Sequence, residues 1–232
     1  MALLLMFQVH VVHALGGKAS RLAGADLEAK SVMVLGSRGS ACSGVVVAPN
    51  IVLTAGHCVQ GSPQLAVAYY DGQTPVLKTV VQNAVNPSGV DMALVRVVGL
   101  PARFSPVELA DETTPPYTIA GFGLQAVRNE ASAGKLRAAQ VGSLPLSATR
   151  ILHLGGAGMD KDEMSAYLQV CKGDSGGGVF TSDMKLAGIL FATYNTGVKQ
   201  GDTWSAQCGN TAQAVRVAPQ KAWIDGVVSG WK

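Results

Sequence analysis

The residues of this chain best suited to covalent chemistry are few and far apart. Ser175 sits in Gly173-Asp-Ser-Gly-Gly177, inside the stretch QVCKGDSGGGVF, and His57 sits in Thr54-Ala-Gly-His-Cys58. A serine hydroxyl attacks a carbonyl when a base removes its proton, and flanking glycines let the backbone turn sharply and expose hydroxyl and amides together. The same five residues fit Gly-x-Ser-x-Gly, a turn used by hydrolases whose base follows the serine. The histidines are His10, His13, His57 and His153, all upstream, so that arrangement is excluded.

His10 and His13 fall in an apolar leader, which leaves His57 and His153 as bases. His57 directly follows the apolar run Ile51-Val-Leu and precedes a cysteine able to tether its turn. His153, between Leu152 and Leu154, has no such anchor and is read as structural or solvent-facing. A histidine base needs an acid to hold its tautomer and stabilise the imidazolium, and Asp91, heading DMALVRVV, fits that need. Asp174 is closer to Ser175 in sequence, but adjacent side chains diverge, so its role is structural.

The elements that must position these groups are short strands. Of 232 residues, 48% are hydrophobic and 14% charged, and 28 glycines and 10 prolines favour strands joined by tight turns. Strand-like segments recur at SVMVLGS, SGVVVA, NIVLTA, LAVAYYD, VLKTVVQNAV, DMALVRVV, YTIAGFG, KLRAAQVGSLPL, GGGVFTS and KLAGILFATY. That spacing predicts an all-β barrel or sandwich architecture. APQKAWIDGVV differs: Pro219 suits a first turn, and Trp223/Val227 and Ile224/Val228 pair at helical spacing, predicting a short C-terminal helix on the outside. The proline-rich stretch Leu100–Pro116 joins two strand-rich halves.

The net charge of +3, from 18 basic and 15 acidic residues without runs of like charge, gives no argument for nucleic acid. MALLLMFQVHVVHA, residues 1–14, has the length of a signal-peptide core and ends on a small residue, so export to a secreted or periplasmic location is expected. It falls short of the roughly 20 apolar residues of a membrane span. The four cysteines, Cys42, Cys58, Cys171 and Cys208, form no C-x-x-C pair and are read as two disulfides, with three pairings open in principle. No cofactor and no metal are expected.

The order His57, Asp91, Ser175, with Thr-Ala-Gly-His-Cys and Gly-Asp-Ser-Gly-Gly around its ends, resembles the chymotrypsin/trypsin family of serine endopeptidases, as a compact, bacterial-type member. Each five-residue motif arises by chance at about one start in a million, so two in order are not coincidence. The resemblance runs from about Val32 to Trp223 and implies two six-stranded antiparallel β-barrels forming one peptidase domain: residues 22–105 with His57 and Asp91, then 106–232 with Ser175 and the terminal helix. It implies Ser175 as nucleophile, His57 as base and then acid, Asp91 as orienting acid, and the Gly173 and Ser175 amides as oxyanion hole. It also implies the pairings Cys42–Cys58 and Cys171–Cys208. The expected partner is a peptide or protein substrate, and the expected state a monomer.

The same resemblance identifies departures. Gln169 falls at the pocket floor, where trypsins carry an aspartate, beside Val170. Thr193 and Ala212 fall at wall positions often held by glycine, which implies a neutral P1 residue. Phe191-Ala192-Thr193 replaces the family's Ser-Trp-Gly, and Gly178 replaces a proline. Asp174 implies a partner ammonium, freed by cleavage before Leu22, with residues 15–21 as propeptide, or before Leu15. The alternative to an active peptidase is a catalytically weak or inactive protease-fold binding protein.

Overall fold

The computed structural model describes residues 15, 20–111, 115–124, 134–141, 143–147, 150–154, 169–194, 208–209 and 211–231. The chain enters through β1 (Arg21–Leu22) and the single turn α1 (Ala25–Glu28), then builds β2 (Ser31–Gly36), β3 (Ala41–Ala48), β4 (Ile51–Thr54), β5 (Leu65–Asp71), β6 (Thr74–Val85) and β7 (Ala93–Val97). The last six close into an antiparallel barrel in the order β2-β3-β4-β7-β6-β5. Val32, Val34, Val46, Val52, Val67, Val95 and Val97 fill its interior, as β-branched side chains fill a pleated surface. Along β6 the exposed positions Leu77, Thr79 and Val81 alternate with the partly buried Val76, Lys78 and Val80, marking an outer strand wet on one face.

The second half contains β8 (Tyr117–Gly121), β9 (Arg137–Val141), β10 (Ser143–Ser147), β11 (Arg150–Leu154), β12 (Val170–Cys171), β13 (Gly178–Phe180), β14 (Leu186–Tyr194), β15 (Cys208–Gly209) and β16 (Thr211–Arg216). Eight strands form one sheet in the order β1-β9-β8-β13-β14-β16-β11-β10. β9 ends at Val141 and β10 starts at Ser143, so opposite ends of this sheet are nearly consecutive stretches of chain. Counting β9 and β10 as one bent strand, and setting aside the added edge β1, this is the expected second six-stranded unit. β12 and β15 pair separately, Val170 with Gly209 and Cys171 with Cys208.

Between the two halves lies a shared core: Val45, Leu53, Met92 and Leu94 from the first meet Phe122, Phe180, Ile189 and Val215 from the second. The connecting stretch is tied down, with Ala110 N donating to Leu186 O at 2.8 Å and Leu186 N to Glu108 O at 2.8 Å. The terminal helix α2 (Lys221–Gly230) follows a 3-10 turn at Ala218–Gln220 that carries Pro219, so the proline pre-sets the turn before the helix. α2 buries Ile224 in the shared core with Trp223, Val227 and Val228 against it. The sequence reading did not resolve β1, β11, β12, β15 and β16. Four of these are short or cysteine- and glycine-bearing, and β16 directly adjoins the helical pattern.

Candidate active site

His57 occupies the 3-10 turn Gly56–Cys58, entered from the end of β4. Its Nδ1 lies 2.8 Å from Asp91 Oδ2, and its own backbone N–H donates to Asp91 Oδ1 at 2.8 Å. One carboxylate therefore fixes both ring and main chain. With Asp91 ionised, Nδ1 carries the ring proton and Nε2 is the basic nitrogen. Burial raises the Asp91 pKa, but the hydrogen bonds from the His57 ring and amide, the His57 charge and a Gly56 backbone hydrogen bond outweigh it and hold the carboxyl below its ordinary 3.8. The side chains are 45% and 29% exposed, open enough for a substrate to reach the ring.

Asp91 is carried by the connection from β6 to β7, and Asn86 organises that loop. Asn86 Oδ1 accepts from Ser88 N at 2.9 Å and Ser88 Oγ at 2.7 Å, and Asn86 N donates to Met92 O at 2.9 Å. Its Nδ2 donates to Gln220 Oε1 at 2.9 Å, so the start of the terminal helix braces the loop that holds the acid. Sequence reasoning missed Asn86, although the dipeptide Asn86-Pro87 is a turn signal. A cleft of about 260 Å³ opens beside the pair, lined in part by His57, Gln60, Val85 and Val90.

Ser175 lies on the turn between β12 and β13, half-buried. Two contacts bring that turn to the histidine. Ser175 O accepts from Ser43 N at 2.7 Å and lies 3.9 Å from the sulfur of Cys58, the residue after His57. Cys58 is disulfide-bonded to Cys42, so strand β3, the histidine turn and the serine turn are joined at one point. Gly176 is required here: its φ is +82°, and an added Cβ would stand 2.0 Å from Ser43 O and 2.2 Å from Thr54 Oγ1. Cys171–Cys208 is the second disulfide, joining β12 to β15.

The carbonyls around the serine are individually engaged. Lys172 O accepts from Leu124 N, Gly173 O from Ser43 Oγ, Asp174 O from Gly177 N and Ser175 O from Ser43 N, at 2.7 or 2.8 Å. Asp174 N donates to Cys171 O at 3.0 Å and Gly176 N to Leu190 O at 2.7 Å. The N–H groups of Gly173 and Ser175 have no acceptor among the described residues, which leaves two donors for an incoming oxyanion.

Asp174 is fully buried. Its Oδ1 accepts from Gly123 N at 2.9 Å and its Oδ2 from Cys171 N at 2.8 Å. Burial raises its pKa to about 7 against the opposing pull of those amides. Of the two expected partner termini, Leu22 is 62% exposed and paired with Arg137 on the sheet edge. Leu15 is fully buried in the core of the second half with Tyr117, Ile119, Val170 and Leu190. Leu15 O accepts from Ser20 Oγ, and buried Arg137 donates through Nε to Ser20 Oγ at 3.2 Å and through Nη2 to Ser20 O at 2.5 Å.

Gln169 (5% exposed) and Val170 (2%) are buried just ahead of Cys171. Phe191, Ala192 and Thr193 follow one another on β14, becoming more exposed towards Tyr194. Thr193 pairs with Ala212, which is fully buried on β16. Phe191 packs against the shared core and the first-barrel core alike. His153 lies on β11, its backbone paired with Ala212. Residues 1–14, part of 15–21, and residues 195–207 lie outside the described residues. Among the described residues no helix is long and apolar enough to cross a membrane.

The sequence matches the family model for trypsin over residues 23–224. No curated protein matches the sequence. Among solved structures, neuropsin, a serine protease expressed in the limbic system of mouse brain, superposes with a TM-score of 0.67 at 20% identity, covering 90% of this chain and 98% of that one. At that identity the likeness speaks for the fold, while the family match spans nearly the whole described chain: the protein belongs to the trypsin family, and its fold is that of the chymotrypsin-like serine proteases.

Proposed function

We propose that the protein is a serine endopeptidase working through an acyl-enzyme. The observation that carries this reading is the double grip of Asp91 on His57, ring and amide both at 2.8 Å, beside a serine turn with two amides that have no acceptor among the described residues. His57 Nε2 takes the Ser175 proton as the hydroxyl oxygen attacks the substrate carbonyl, Asp91 stabilises the imidazolium, and the Gly173 and Ser175 amides receive the oxyanion. The imidazolium then protonates the leaving amine, and a water activated by the same base releases the acid. Ser175→Ala and His57→Ala are each expected to lower turnover of peptide esters or amides by about 10⁴-fold or more.

The P1 residue is read as uncharged. Gln169 is neutral, Val170 and Ala212 are apolar, and the nearest acid in the sequence, Asp174, is engaged by Gly123 and Cys171. Burying a cationic side chain there without a counter-charge is costly. A positional P1 library should favour small or medium neutral side chains, and a strong Arg/Lys preference overturns this assignment. Two disulfides are in keeping with a secreted or periplasmic protein. The buried Leu15 and the exposed Leu22 favour a mature chain that begins at Leu15, with residues 15–21 retained rather than lost as a propeptide.

A further inference from the structure

We infer that Ser43 is a positioning residue for the oxyanion loop, acting through its hydroxyl on the peptide between Gly173 and Asp174; this rests on the peptidase reading above. Ser43 lies on β3, one residue after disulfide-bonded Cys42, and is 1% exposed. Nothing in the sequence singles it out, yet all of its polar atoms are used at the junction of the two halves. Its N–H donates to Ser175 O at 2.7 Å, and its O accepts from Thr54 Oγ1 at 2.7 Å. Its hydroxyl donates to Gly173 O at 2.7 Å and accepts from Phe122 N at 2.9 Å.

The four carbonyls from Lys172 to Ser175 are held by three backbone amides and one side chain, and that side chain is Ser43. Gly173 has φ +96°, a region open to glycine, so the segment has no steric preference of its own that keeps it there. Without the hydroxyl, the carbonyl of the Gly173–Asp174 peptide loses the donor that holds it, and the peptide is restrained only through Asp174 N on Cys171 O, 3.0 Å away, among the described residues. That peptide stands between the two peptides that carry the Gly173 and Ser175 N–H donors, so its displacement is passed to both donors through the Gly173 and Asp174 backbone dihedrals. The same loss leaves Phe122 N, at the end of the strand that flanks Asp174, without its acceptor. The hydroxyl therefore couples the strand bearing Cys42 to both sides of the oxyanion loop. Removing one oxyanion donor lowers turnover by about 10²–10³-fold; a mispositioned donor sets the expectation for Ser43→Ala at about 10- to 100-fold.

The test compares wild type, Ser43→Ala and Ser43→Thr, which keeps the hydroxyl, by steady-state ester hydrolysis and by affinity for a peptide boronic acid that bonds Ser175 and fills the oxyanion site. Active-site titration with a phosphonate first counts the competent Ser175 in wild type, so a silent wild type rejects the peptidase reading and not the role of Ser43. The expected result is that Ser43→Ala loses 10- to 100-fold in kcat and in boronic acid affinity with KM within about threefold, and that Ser43→Thr restores most of both. If Ser43→Ala is folded, by unchanged circular dichroism, and keeps wild-type kcat and boronic acid affinity, the assignment is wrong. It is equally wrong if KM alone rises, or if Ser43→Thr is as impaired in kcat as Ser43→Ala while remaining folded.

Discussion

Asp91 and Asp174 are two carboxylates of one site, sent in opposite directions by their surroundings. Asp91 gains more from His57 than it loses by burial, whereas Asp174 is sealed among glycines with two amides and no cation among the described residues. Because the folded-state pKa of Asp174 is raised from 3.8 to about 7, the folded chain binds a proton more tightly than the unfolded chain does. Its stabilising contribution is thus complete below about pH 4 and is lost as the pH rises through about 7. The full-length chain should lose on the order of 4 kcal/mol across that window from this group. Urea titrations at pH 4 and pH 8 measure it. Asp174→Ala should lower stability at both pH values, because two amides lose their acceptor, while flattening the difference between them; an unchanged difference contradicts the assignment.

At the scale of elements, the site depends on turns that accept no added atom. Gly176→Ala forces a Cβ to within 2.0 Å of Ser43 O at a φ of +82°. It should destabilise by about 3 kcal/mol or more and abolish turnover. Thermal melting and ester hydrolysis report the two effects, and a melting temperature within a degree or two of wild type contradicts this account. The motifs around His57 and Ser175 were legible because glycine, histidine, cysteine and serine at fixed spacing carry their chemistry locally. β2 to β9 and β13 to β14 were legible from apolar runs between turn residues. Ser43 and Asn86 were not, because their roles come from partners 130 and 134 residues away in the chain. β16 was not picked out, because its run Thr211–Arg216 leads into Val217-Ala-Pro without a glycine to part it from the helical pattern.

Across the whole molecule, the two halves meet through Phe180, Ile189 and Val215 on one side and Val45, Leu53 and Leu94 on the other, with the terminal helix sealing the seam. The proposed chemistry lies on this seam: the first half bears His57 and Asp91, the second bears Ser175, and Ser43 and the Cys42–Cys58 disulfide stitch them together. The N-terminal segment belongs to the same assembly, since Leu15 fills the second core and Arg137 holds Ser20. Intact mass and N-terminal sequencing of exported protein should therefore find a chain beginning at Leu15, and Arg21→Gln should leave that terminus unchanged. A chain beginning at Leu22 would mean that Leu15 is removed despite its burial.

The central claim, that His57 activates Ser175 as a nucleophile, is tested most directly by covalent labelling with a serine-directed phosphonate and mapping of the adduct by mass spectrometry. Wild type should carry one adduct, on Ser175, formed far faster than in His57→Ala, and Ser175→Ala should carry none. A mature, folded wild type that takes up no label, or labels as slowly as His57→Ala, would contradict the claim and favour the alternative of a catalytically weak or inactive protease-fold binding protein.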